Sequence, residues 1–482
     1  MKVFINILLI FLIFNFKISF SQKVFDIVVA KDGSGDYTNI STAISRYSNN
    51  RKVIFIKNGT YKEKIAIDAS KTNLSLIGEN VDSVIITYDD YAGKSSSVTS
   101  TAQSYTFKVE ANGFYAENIT FQNTATQAQA VALYSTADTL TFKNCRILGY
   151  QDTHYANKGR QYFYNCETRG DVDFIFGSAA LVYDNCKIIC RNRKGGYITA
   201  PSDAAITSQK VGGGTFYHGI LIKNSEILAE TGLGNNTCYL GRPWNVNSSS
   251  VFYNCKIGSH IKPEGWSVWS TDPSNDGYNN HLYTYFAEYK SLNLNGVLLD
   301  VSNRVTWSKQ LTDNDTAFYS IDYYFKGWKP LKINSPEAPK NIRIINDTLF
   351  WNNIEGVRGY VVFINDTFTA ATLYNSFYLN NIKARKIIIK SVGKYGNLSA
   401  ASDIASFINN NFHSNDNIYC YNKILYVPEN KFIEVFDITG RIILKTQYLK
   451  EIHLNNFNNG LYVIRLTDID DKRIITKKIL IQ

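Results

Sequence analysis

Asp152 and Asp173 lie 21 residues apart, and so do two Asn-Cys pairs, Asn144-Cys145 and Asn165-Cys166. One spacing shared by scaffold and acids points to a chain that returns to the same place at each turn. The recurring unit is a large apolar or aromatic residue, any residue, Asn, then a small residue. It reads Phe121-Gln-Asn123-Thr124, Phe142-Lys-Asn144-Cys145, Phe163-Tyr-Asn165-Cys166, Tyr183-Asp-Asn185-Cys186, Ile222-Lys-Asn224-Ser225 and Phe252-Tyr-Asn254-Cys255. The Asn steps are 21, 21, 20, 39 and 30 residues, so the fourth is a double period and the fifth a period plus a loop. A period near twenty implies a solenoid. Leucine-rich repeats share that length, but their Leu pattern is missing. The runs Ile119-Thr-Phe121, Thr139-Leu-Thr-Phe142, Arg160-Gln-Tyr-Phe-Tyr164 and Ala180-Leu-Val-Tyr183 are strand-like. The expected fold is therefore all-β, a parallel β-helix.

In such a coil, residues one turn apart stack about 4.8 Å apart. The repeated Asn would form a side-chain ladder at a bend, with the small residues beside it stacked inside. Asp152 and Asp173 each follow a ladder Asn by eight residues, so they should share one angular position on successive coils. Two carboxylates that close do not both ionise easily, and one should hold a proton near neutrality. That arrangement suits one acid giving a proton while the other attacks. Gln129 and Gln151 are 22 apart and should also sit on neighbouring coils, where their amides could bind a developing oxyanion. Stacked acids on a solenoid could equally be solvated surface or a calcium ladder.

Formal charge is +10, from 51 basic and 41 acidic residues, which favours an acidic polymer as partner without selecting one. Met1 to Phe14 is an apolar run behind Lys2, and Ser19-Phe-Ser21 is a small-x-small cleavage site, so residues 1–21 read as a secretory signal. The seven Cys are an odd number, and four occupy the position beside the ladder Asn. Buried free thiols are expected there, with a Cys186–Cys190 disulfide as the alternative. No Cys/His cluster has zinc spacing, so no metal and no cofactor is expected. Phe25 to Ala30 reads as a strand. The Gly-rich turn Lys31-Asp-Gly-Ser-Gly-Asp36 lacks the phosphate-loop pattern, and Tyr37 to Ser45 reads as a short helix capping the open end of the coil.

From about residue 23 to 331 the chain resembles the pectin methylesterases, carbohydrate esterase family 8. The segments carrying the likeness are Gly33-Ser-Gly-Asp-Tyr-Thr38, Tyr61-Lys-Glu-Lys-Ile65, Ile119-Thr-Phe-Gln-Asn-Thr-Ala125, Gln129-Ala-Val-Ala-Leu133, Gly149-Tyr-Gln-Asp-Thr153, Gly170-Asp-Val-Asp-Phe-Ile-Phe-Gly177, Ile198-Thr-Ala200 and Tyr239-Leu-Gly-Arg-Pro-Trp244. The resemblance implies a right-handed parallel β-helix acting on methylated polygalacturonan. It implies Asp173 as nucleophile, Asp152 as general acid and then base, and Gln129 and Gln151 as the oxyanion hole. Arg242 would hold Asp173, and Trp244 would line the sugar site. Tyr155, Phe176, Trp266 and Thr101 are further substrate-contact candidates. His154 stands where the family usually carries an apolar residue; an exposed spectator is the expectation there, with a shift of the pH optimum through the neighbouring acid as the alternative. The competing functions are a pectin-cleaving lyase or hydrolase on the same solenoid and a non-catalytic polysaccharide binder.

Pro336-Glu-Ala-Pro339 reads as a linker. Residues 337–407, with Trp351 and Tyr360, resemble a fibronectin type III module and read as a spacer, with a sugar-binding role as the alternative. Asn409-Asn-Asn411 leads a second linker. Residues 413–482 resemble the C-terminal sorting domain of type IX secretion systems, through Ile433-Glu-Val-Phe-Asp-Ile-Thr-Gly-Arg441, Asn458-Asn-Gly-Leu-Tyr-Val-Ile-Arg465 and Lys477-Lys-Ile-Leu-Ile481. Thr439-Gly440 and Asn459-Gly460 read as hairpin turns. Implied partners are pectin and the type IX machinery. A monomer, no nucleic acid, and a secreted or cell-surface location are expected.

Overall fold

The computed structural model describes residues 23–481 apart from 47–50, 194, 211–212, 331–334, 346, 381, 383, 385, 403–404, 407–418, 422, 428–430, 448–450, 471 and 473. The expected signal segment and the Asn409-Asn-Asn411 linker lie outside the described residues. Three parallel sheets of 11, 7 and 9 strands wind around one core, each coil contributing a strand to each sheet in turn. This is the β-helix that the period implied.

The register carries the period directly. Phe142 pairs with Phe163 and Phe163 with Tyr183 in the 11-stranded sheet. Their rings stack inside the coil at 4.4 and 4.7 Å. Each ladder Asn follows a strand of that sheet and turns the chain in the left-handed region, with φ of 49° at Asn144, 52° at Asn165 and 55° at Asn185. Asn tolerates that conformation because its short amide bonds locally. The amides also bond to one another, Asn165 Nδ2 donating to Asn144 Oδ1 at 3.3 Å and Asn254 Nδ2 to Asn224 Oδ1 at 3.0 Å.

The first rung differs from the expectation. Asn118, with φ of 59°, precedes Asn144 in the ladder and accepts from its Nδ2 at 2.5 Å. Asn123 instead ends a strand of the 9-stranded sheet, and its amide donates to the carbonyls of Asp90, Ser104 and Val131. Phe121 accordingly pairs with Ile147, not Phe142. Inside the ladder, Cys145, Cys166, Cys186 and Cys255 are buried and free, as are Cys190 and Cys238, so Cys186 and Cys190 form no disulfide. The stack is bonded in series: Cys145 N–H to Cys166 Sγ, Cys166 N–H to Cys186 Sγ, and Cys186 N–H to Ser225 Oγ.

The helix Ile40–Ser45 buries Ile40, Ala43 and Ile44 over the first coil. Asn39 caps it, and both oxygens of Glu63 accept backbone N–H bonds from its first turn. Beyond the β-helix, two antiparallel sheets enclose Trp351 and Tyr360, whose rings meet edge to face at 5.2 Å. A further pair of antiparallel sheets encloses a separate core drawn from Leu425 to Ile481. Thr439-Gly440 does join two paired strands, Lys431–Phe436 and Ile442–Gln447. Asn459-Gly460 does not: Gly460 opens the strand Gly460–Asp468, and the strand before it, Glu451–His453, belongs to the other sheet.

Candidate active site

The acids lie on adjacent coils of the 7-stranded sheet. His154 pairs with Ile175 and Tyr155 with Phe176, and the Asp152 N–H donates to the Val172 carbonyl at 3.0 Å. Continuing that register sets Asp152 beside Asp173. Both have left-handed φ, 62° and 50°, and at Asp173 the strand Val172–Gly177 bulges against its neighbour. Such bends re-aim a side chain out of the regular pleat. One coil earlier, the Ala130 N–H donates to the Gln151 carbonyl, which sets Gln129 and Gln151 on neighbouring coils as expected. Among the described residues, no hydrogen bond engages either side-chain amide.

Arg242 reaches Asp173 from the end of the strand Tyr239–Gly241. Its Nε donates to Oδ1 at 2.9 Å and its second nitrogen to Oδ2 at 2.6 Å. This two-pronged, charge-assisted contact fixes the carboxylate in plane as well as in charge. Gly241 makes the approach possible, because a Cβ there would fall 2.1 Å from Thr199 Oγ1. The guanidinium is held between two rings, its carbon 3.9 Å from the centre of Tyr197 and 4.4 Å from that of Trp269.

The environments of the two acids pull them apart. Burial pushes the Asp173 carboxyl up, and the bonds and charge of Arg242 oppose that push. Asp152 is buried without such a partner, and the neighbouring Asp173 charge adds to the effect, so its carboxyl is held well above the usual range. Asp171 pushes Asp152 further the same way, and itself pairs with Arg193 at 2.9 Å. Of the two, Asp152 is pushed further toward the protonated form, while the bonds and charge of Arg242 favour the charged form of Asp173. Beside them a cavity of about 160 Å³ is lined by Gln151, Asp171, Arg193 and Thr126 among others. A larger groove of about 490 Å³ follows the asparagine ladder and includes none of Asp152, Asp173, Gln129 and Gln151.

Tyr155 and Phe176 stack at 4.4 Å and lean on Trp244 at 6.5 and 6.0 Å. Tyr134, which sequence reasoning passed over, continues the column at 4.6 Å from Tyr155. Its spacing of 21 from Tyr155 was the available signal. Thr101 opens a short 3-10 turn, and Ser104 at the end of that turn accepts from the Val131 N–H. Trp266 is corrected: it is 1% exposed and packs inside the coil against Phe252 and Phe286, so it lines no groove. Tyr197 and Trp269 were missed, and neither lies in a motif that marks it.

His154 is also corrected. It is fully buried, not an exposed spectator, and burial pulls its pKa down to about 3. Thr168 donates to the Tyr183 hydroxyl, and Ser135 donates to Gln161 Oε1. His154 must then accept from Tyr183 at Nδ1 (2.7 Å) and donate from Nε2 to Ser135 (2.9 Å). That chain of bonds runs in one direction and requires a neutral ring.

Fold and site together define a parallel β-helix protein carrying a buried, asymmetric acid pair. The pectinesterase family model matches residues 26–328, and the chain belongs to that family. A model described as a secretion-system C-terminal sorting domain matches 414–482. Among curated proteins, the chain is 37% identical over 300 residues to a putative pectinesterase/pectinesterase inhibitor of Arabidopsis thaliana, covering 60% of this chain and 59% of that one. It is 36% identical over 326 residues to a pectinesterase/pectinesterase inhibitor of Prunus persica, covering 63% and 58%. The chain thus spans less than two thirds of the length of these relatives. Among solved structures, it resembles a pectin methylesterase from carrot (TM-score 0.55, 34% identity, 63% of this chain and 93% of that one). It also resembles one from Erwinia chrysanthemi (0.55, 30%, 64% and 98%). A third neighbour is a pectin methylesterase in complex with a hexasaccharide (0.56, 30%, 64% and 99%).

Proposed function

We propose that this protein hydrolyses the methyl esters of polygalacturonan, releasing methanol and leaving the sugar chain intact. The observation that supports it most is the unequal acid pair, one carboxylate gripped by Arg242 and its neighbour buried with no cation bonded to it. Asp173 attacks the ester carbonyl, and the oxyanion that forms is met by the Gln129 and Gln151 amides. Collapse of that intermediate breaks the bond to methoxide, which takes the proton of Asp152 and leaves as methanol. The substrate acyl group then remains on Asp173. Asp152, now ionised, takes a proton from water, whose oxygen attacks the acyl carbon. Asp173 departs as a carboxylate and the free acid is released, with Asp152 protonated again. Trp244, Tyr155, Phe176 and the turn bearing Thr101 are proposed to hold the sugar chain.

The basic net charge suits an acidic polymer. Residues 414–482 are proposed to be read by the type IX secretion machinery, delivering a monomer outside the cell or to its surface, with residues 1–21 as the signal. Residues 337–407 are proposed to form a fibronectin III-like module. Incubation with highly methylated pectin tests the activity: methanol with unchanged chain length supports an esterase. Shortened chains or unsaturated ends would instead establish a chain-cleaving enzyme, and binding without methanol release a non-catalytic solenoid.

A further inference from the structure

The first strands of the 11-stranded sheet are apolar on both faces. Ile54, Ile56, Leu76 and Ala116 point into the main core of the coil. The alternate residues Val53, Phe55, Ile77 and Tyr115 point outward, and with Val24 and Phe25 they form a second cluster. Farther along the same face, outward residues such as Tyr162, Val182 and Leu221 are covered by the esterase segment carrying Tyr319, Tyr324 and Phe325. The first coils are covered by the middle module, through Val361, Phe363, Val392 and Leu398. Phe55 stacks on Phe25 at 4.5 Å and meets Phe368 across the boundary at 4.7 Å, the rings tilted by 37°.

The contact is polar as well as apolar. Glu79 and Glu117 are buried on the β-helix, and each accepts a backbone N–H from the module, from Phe368 at 2.7 Å and from Leu398 at 3.2 Å. Arg358 donates to the Val24 carbonyl at 2.8 Å and pairs with Asp26 at 3.1 Å. The fit is close: a Cβ on Gly396 would lie 2.4 Å from Val53 Cγ1, and one on Gly359 would lie 2.7 Å from Val24 Cγ2. Undocking would bare a contiguous apolar patch and remove one donor from each of the two carboxylates. The outward side chains of the first coils call for a cover of this kind.

We infer that the middle module is a permanent part of the esterase, filling the outer face of its first coils, and that the functional unit of this protein runs from about residue 26 to 406. The inference is independent of the activity proposed above. The test uses the full chain with a protease recognition sequence inserted between Pro330 and Ser335. After cleavage at micromolar concentration, the two halves are expected to co-elute in size-exclusion chromatography. The same cut in an Arg358→Ala, Phe368→Glu variant is expected to separate them, with a several-fold rise in binding of an apolar dye by the N-terminal half. Separate elution of the unsubstituted halves, with the N-terminal half soluble and no richer in dye, would establish a spacer and overturn the inference.

Discussion

Arg242 and His154 show what single residues contribute to this site. Replacing Arg242 with Lys keeps the charge but loses the paired bonds to Asp173 and the planar fit between Tyr197 and Trp269. The expected result is a roughly 10- to 100-fold fall in kcat/KM. The acid limb of the pH profile should also move to higher pH, because Arg242 opposes the upward push on Asp173. A pH–rate series on the purified variant checks both. His154 bears on stability. Its folded pKa, about 3, lies below the ordinary 6.5, so between those values the unfolded chain binds the extra proton. Stability from this group is complete above pH 6.5 and falls by about 1.4 kcal/mol per pH unit on acidification through the window. His260 and His218 shift the same way and steepen the fall. His154→Leu should lessen the slope, as read from denaturant unfolding at several pH values. The position of His154 was legible in the sequence but its burial was not, since an imidazole two residues from an acid reads as surface until its two partners, Ser135 and Tyr183, are seen to converge from other strands.

At the scale of the element, the ladder converts a sequence period into stacked coils. Asn165→Ala loses the amide bonds and places an ordinary side chain at φ of 52°. The expected cost is about 2 kcal/mol in chemical denaturation, and Asn165→Gly should recover the part due to backbone conformation. The period of 21 was enough to place Asp152 next to Asp173 and Gln129 on the coil next to Gln151, because stacking in a solenoid turns sequence separation into distance. It failed at Asn123, where the coil from Asn118 to Asn144 takes 26 residues and the pattern of residue types alone pointed to the wrong Asn. Arg242 lies 69 residues from Asp173, beyond reach of the period, and was found through family likeness. Tyr197 and Trp269 come from separate stretches and meet only around the guanidinium.

Across the whole molecule, the two C-terminal units differ in how they relate to the β-helix. The middle module shares a cluster with the first coils, whereas the core of the last unit is drawn from its own residues. Deleting residues 414–482 should therefore leave the thermal midpoint of the β-helix and its proposed methanol release unchanged in a calorimetric and enzymatic comparison. The linker at Pro336 suggested a spacer because the run Val53-Ile-Phe-Ile56 reads simply as a buried strand, and sequence does not say that what buries its outer face lies some 300 residues on. The acid pair on which the proposed chemistry turns is tested most directly by methanol release from highly methylated pectin by an Asp173→Asn variant whose circular dichroism matches the parent. Loss of activity by roughly 10⁴-fold or more is predicted. Activity within tenfold of the parent would contradict Asp173 as the nucleophile.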